Sequence, residues 1–133
     1  MNAMSAHVLI VEDEESILLS LEFLLGKEGY AVTTARDGAA ALSALQAQPP
    51  DLVLLDVMLP LIDGFELCRL IRENPALRGT RIMLVTARGR ETEIARGMAL
   101  GADAYLTKPF STRDLMDKVR ELLSRNNTPQ PAG

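Results

Sequence analysis

Cysteine is almost absent: Cys68 is the only one in 133 residues. That excludes a disulfide framework and a thiolate metal cluster. Positive charge is in deficit, with 14 Lys and Arg against 18 Asp and Glu and a net charge of −4. Such a balance gives no support to direct nucleic-acid binding by this domain, which needs a basic face. Long apolar runs are missing as well. The longest, residues 52–62, is broken by Asp56 and Pro60 and falls short of the roughly 20 residues a bilayer requires. No membrane segment is expected. The N-terminus lacks a basic stretch leading into an apolar run, so no signal peptide is read and a cytoplasmic address is the default expectation.

What is present suits one globular domain, with 47% apolar and 24% charged residues. Residues 7–125 carry its pattern. Residues 1–6, with a second methionine at Met4, read as a disordered end or cloning remnant. Residues 126–133 hold two prolines and no apolar side chain except Ala132, which reads as a flexible tail or linker. A linker there implies an effector domain C-terminal to it.

Apolar runs alternate with amphipathic stretches five times. Residues 8–11, 52–55 and 82–85 are continuous apolar runs of strand length, as expected of strands buried on both faces of a parallel sheet. The more mixed runs 30–35 and 102–106 suit edge strands. Helical spacing appears in Ile17, Leu18, Leu21, Leu24 and Leu25, ending at Gly29, and in Ala41, Leu42 and Leu45, ending before Pro49. A third helix carries Leu67, Leu70 and Ile71 and stops at Asn74-Pro75. The fourth, α4, spans about 91–100 and closes at Gly101. The fifth, α5, opens on Ser111 as N-cap with Asp114 three residues on, then repeats Leu115, Val119 and Leu122. This alternation predicts an α/β fold, a (βα)5 doubly wound parallel sheet with the flavodoxin-like strand order 2-1-3-4-5.

The chemistry is read from polar residues at strand ends. Glu12 and Asp13 follow the first strand, Asp56 ends the third, Thr86 ends the fourth, and Lys108 follows the fifth, β5. In a parallel sheet these ends share one edge, where open α/β sheets bind ligands. Carboxylates gathered there repel unless a cation joins them. Lys108 supplies one charge; the remainder calls for a hard divalent ion, and Mg²⁺ accepts one or two carboxylates, waters and phosphate oxygens. Asp13 and Asp56 are the direct-ligand candidates, with Glu12 acting through a water and the backbone carbonyl of Met58 completing the set. Position by position the bland readings carry weight: Glu12 to Glu15 as a solvated helix start, Asp56 as an N-cap. Convergence of five residues on one edge argues against them jointly. His7 and Cys68 are read as structural, His7 as a strand-start residue without partners.

At this point the chain resembles the receiver domain of bacterial two-component response regulators, over about residues 7–125. The matching motifs are Val11-Glu12-Asp13-Glu14, Asp56-Val57-Met58-Leu59-Pro60 with Asp63-Gly64, Thr86-Ala87, Gly101-Ala102-Asp103-Ala104-Tyr105 and Lys108-Pro109-Phe110. Each alone is weak; five in order are specific. The resemblance implies that a sensor histidine kinase donates a phosphoryl group to Asp56, with Mg²⁺, Lys108 and Thr86 serving the transfer. It further implies a cis Lys108-Pro109 bond and slow self-catalysed dephosphorylation, tuned by Met58 and Arg88. By the same resemblance the domain is expected to be a switch and not a dedicated metabolic enzyme, with Thr86 swinging toward the phosphoryl group, Tyr105 rotating inward and the α4-β5-α5 surface changing.

Two other classes fit less well. A haloacid-dehalogenase-type phosphohydrolase needs a second Asp where Met58 stands, and Glu12 to Glu15 would repel the phosphate of FMN. For the output, residues 86–105 look like the winged-helix transcription-factor subfamily, whose members dimerise through charged pairs on this face. Ile94, Ala99 and Ala104 stand where charges are common, so the expectation is a homodimer through α4-β5-α5 held by packing. A stand-alone receiver fits equally.

Overall fold

The computed structural model describes residues 6–59, 63–87 and 90–127, with side chains as far as Ser124. Residues 1–5 and 128–133, Pro60 and Arg88 lie outside the described residues. Of the end and tail expected at 1–6 and 126–133, the Ala6 carbonyl instead accepts from the Ala31 N–H at 2.9 Å, and residues 126–127 belong to the last helix. The elements run β1 (His7–Val11), α1 (Glu15–Lys27), β2 (Ala31–Ala35), α2 (Gly38–Ala47), β3 (Leu52–Asp56), α3 (Gly64–Glu73), a 3-10 turn (Pro75–Leu77), β4 (Arg81–Ala87), α4 (Glu91–Ala99), β5 (Ala104–Lys108) and α5 (Thr112–Asn127). The sheet is wholly parallel in the order β2-β1-β3-β4-β5. Five strands in that order with five helices are the flavodoxin-like fold the alternation predicts.

Successive residues of the inner strands feed opposite faces of the sheet. Leu9, Val11, Val53, Leu55, Ile82 and Leu84 pack with Leu45 of α2 and Leu67 and Ile71 of α3. Val8, Ile10, Leu52, Leu54 and Met83 pack with Leu18, Leu21 and Leu25 of α1 and Leu115, Val119 and Leu122 of α5. Two cores explain the unbroken apolar runs: the inner strands have no solvent face. Full burial of one such side chain contributes about 1.5–3 kcal/mol. Among the described residues no helix is long and apolar enough to cross a membrane.

Two sequence expectations shift. β5 begins at Ala104, two residues later than its apolar run suggests, and Lys108 is its last residue rather than its successor. Gly101 sits at φ +110°, which a side chain disfavours. Asp103 is then spent on ties: its carboxylate accepts from Arg72 and from the Ile82 N–H, each at 2.8 Å. His7 is not without partners. Its Nε2 lies 2.7 Å from the Thr33 hydroxyl, and its N–H donates to Asp51 at 2.7 Å, contacts created by the β1–β2 pairing and the turn into β3.

Candidate functional site

Glu12 continues the line of β1 for one more residue, its N–H donating to the Ala35 carbonyl at 3.0 Å. This carries its side chain inward, so that it is only 2% exposed, and Oε2 accepts from the Glu14 N–H at 3.2 Å. The solvated-helix reading of Glu12 therefore fails. Asp13 is exposed, and its backbone carbonyl accepts from Arg36 at 3.1 Å.

Asp56 closes β3 at 5% exposure. Its Oδ1 accepts from the Met58 N–H at 2.9 Å, which fixes one side of the carboxylate. Below it, α3 begins very close. A Cβ on Gly64 would lie 2.6 Å from the Val57 Cα and 2.7 Å from the Asp56 carbonyl oxygen, so only glycine permits this approach. Asp63 caps α3 by accepting from the Glu66 N–H at 2.8 Å.

Lys108 reaches over from β5. Its Nζ lies 3.2 Å from both Asp56 Oδ2 and Glu12 Oε1. Burial acts to depress this ammonium, but the charges of Asp56 and Glu12 outweigh it and hold the group above its ordinary range. Burial first, and Asp56 second, push Glu12 up to about 7, against the lowering effects of the Glu14 N–H and Lys108. Ligand oxygens of Glu12, Asp13 and Asp56 lie within 4.8 Å of one another. Three carboxylates against one ammonium leave the cluster short of positive charge, and an all-oxygen donor set suits a hard cation. The observed geometry thus fits a divalent ion. The Lys108-Pro109 bond is cis.

Thr86 and Tyr105 make their contacts with other side chains. Thr86, the penultimate residue of β4, is 3% exposed, and its hydroxyl donates to Glu93 Oε1 of α4 at 3.3 Å. Glu93 in turn pairs with Arg90 at 3.2 Å. Tyr105 is 40% exposed, with the Lys118 ammonium 5.8 Å from its ring centre. The Met58 side chain is exposed. Ile94 and Ala104 are half-buried, while Ala99 and Met98 face solvent. Beside Lys108, residues Ile17, Leu21 and Leu24 of α1 with Pro109 and Phe110 line an apolar groove of about 470 Å³. Sequence reasoning passed over Glu93 and Arg36, and an acidic first helical turn after β4 was the one signal for the former.

Comparison with known proteins agrees with this geometry. A family model, that of the response regulator receiver domain, matches residues 8–120. The chain is 41% identical over 129 residues to the alkaline phosphatase synthesis transcriptional regulatory protein PhoP of Bacillus subtilis (strain 168), covering 97% of this chain and 53% of that one. It spans about half the length of the curated relatives it matches. Among solved structures, the chemotaxis response regulator CheY4 of Vibrio cholerae superposes with a TM-score of 0.85 at 32% identity, covering 90% of this chain and 99% of that one. The receiver domain of a sensor histidine kinase from Pseudomonas aeruginosa PAO1, whose cleft holds a coordinated magnesium ion, gives 0.83 at 29% identity over 91% of this chain and 99% of that one. Fold, strand-end chemistry and sequence likeness thus converge, and the chain belongs to the receiver domain family of two-component response regulators.

Proposed function

We propose that this chain is a phosphorylation switch in which Asp56 takes a phosphoryl group from a phosphohistidine of a sensor histidine kinase, in a Mg²⁺-dependent step. The observation that carries the reading is the Lys108 ammonium, 3.2 Å from the buried Asp56 and equally close to Glu12, within a cluster of three carboxylates. Phosphorylation and Mg²⁺ binding are typical of the family.

In the proposed step an Asp56 oxygen attacks phosphorus in line, the P–N bond breaks and the imidazole leaves. Lys108 meets the charge on the equatorial oxygens, and the Thr86 hydroxyl donates to one of them. Mg²⁺, when bound, neutralises further phosphoryl charge; its holders are Asp13 and Asp56 directly, Met58 through its backbone carbonyl and Glu12 through a water. The apolar groove beside Lys108 offers a protein donor a surface next to the acceptor. With water in place of the imidazole the acyl phosphate hydrolyses slowly, past the exposed Met58.

Phosphorylation turns a carboxylate into a dianion with three acceptor oxygens. Thr86 moves to it, Tyr105 follows inward, and the α4-β5-α5 face changes. We assign the output to that face, as a homodimer held by packing, in a longer cytoplasmic parent with a C-terminal effector; an output in transcription is supported by the Bacillus relative, which is named a transcriptional regulatory protein. Incubation with acetyl phosphate and Mg²⁺ tests the chemistry. One phosphoryl group should be gained by the wild type and none by Asp56→Asn; undiminished labelling of the variant refutes it.

A further inference from the structure

We propose that Glu93 is a positioning residue for the switch, its carboxylate holding the Thr86 hydroxyl on the α4 side of β4 until phosphorylation draws it away. The proposal rests on the reading of Thr86 as the group that moves to the phosphoryl oxygens. Thr86 is almost fully buried, and a buried hydroxyl requires a partner. In this state the partner is Glu93 Oε1 at 3.3 Å, and the other carboxylate oxygen is held by Arg90 at 3.2 Å. Glu93 lies in the first turn of α4, where the helix dipole favours its charge, and its side chain is only 26% exposed. The carboxylate is thus fixed from two directions, by a guanidinium and by a helix start.

Activation exchanges one charge-assisted hydrogen bond for another. The hydroxyl leaves a carboxylate and arrives at a phosphoryl oxygen, so the energy of the resting bond opposes the switch. Glu93 belongs to the resting state in this scheme, and its removal raises the fraction of chains already in the competent conformation. Apparent affinity for a phosphoryl mimic scales with that fraction. The bond is at the long end of the hydrogen-bond range and partly wet, so its loss should tighten binding about fivefold, the equivalent of roughly 1 kcal/mol.

The test is a beryllofluoride titration at saturating Mg²⁺, followed by NMR, on the wild type, Glu93→Ala, Glu93→Gln, Thr86→Ala and the Thr86→Ala/Glu93→Ala pair. Glu93→Ala should bind about fivefold more tightly than wild type. Glu93→Gln keeps an acceptor for Thr86 but loses the charge, and should fall between the two. In the Thr86→Ala background the Glu93 substitution should have no effect, because the coupling runs through the hydroxyl. Equal tightening in both backgrounds would show a through-space effect of removing a negative charge and overturn the proposal, as would no tightening in either. A wild-type chain that bound no beryllofluoride would refute the Asp56 reading itself, which is a separate result from a wild type that binds without coupling.

Discussion

Replacing Glu12 by glutamine keeps the shape of a buried side chain while removing its ability to ionise. Glu12 is 2% exposed, and its carboxyl ionises near pH 7 in the fold, against 4.5 for an ordinary glutamate. Below pH 4.5 the group is protonated in both folded and unfolded chains and contributes no difference. As pH rises, the unfolded chain gives up its proton first, so the contribution to stability falls until the folded carboxyl ionises near 7 and is flat above that. The full drop is at most about 3 kcal/mol. Urea denaturation of wild type and Glu12→Gln from pH 4 to 8, in chelator, reads it as the wild-type-minus-variant difference. The wild type should lose up to about 3 kcal/mol relative to the variant across this window. Saturating Mg²⁺ should shrink the loss, since a cation favours the ionised carboxylate. A wild-type-minus-variant difference that stayed constant or rose with pH would refute the reasoning.

Four further outcomes are expected. Asp13→Ala should weaken Mg²⁺ more than Glu12→Gln in a metal titration, because Asp13 is proposed to ligate directly and Glu12 through a water; equal losses would overturn that division. Gly64→Ala should cost about 1–2 kcal/mol net in denaturant unfolding, overpacking against the Asp56–Val57 backbone outweighing the gain in helix propensity, and should slow phosphorylation. Gly79→Ala, whose added Cβ meets nothing within 4 Å, should be near neutral. Beryllofluoride-activated protein should sediment as a dimer at both low and high salt. Dissociation as salt rises would show that ion pairs dominate, since exposed pairs are screened and individually weak.

The fold was legible because its inner strands are buried on both faces. Runs such as Val8 to Val11 admit few other readings, and Gly29 and Pro49 punctuate the helices where they end. β5 was less legible: an edge strand that ends in Thr107 and Lys108 looks like a loop, while Ala102 just before it looks like strand. At the site, placement of Asp56 and Lys108 at one sheet edge followed from strand order alone. The burial of Glu12 did not, because a run of four acidic residues reads as solvated unless the chain is known to stay paired with Ala35. The bond from Thr86 to Glu93 was equally hidden, since it depends on how the first turn of α4 sits beside the end of β4. The His7–Thr33 contact required the β1–β2 register.

The central claim is that Asp56, among 18 acidic residues, is the group that takes the phosphoryl transfer. Hydride reduction of protein labelled with acetyl phosphate and Mg²⁺ tests it most directly, because it converts an aspartyl phosphate to homoserine, which peptide mass spectrometry locates. Homoserine at position 56 and at no other acidic position, dependent on Mg²⁺, is the predicted result. Homoserine at Glu12's neighbour Asp13, or a phosphoryl label that survives reduction with no homoserine formed, would contradict it.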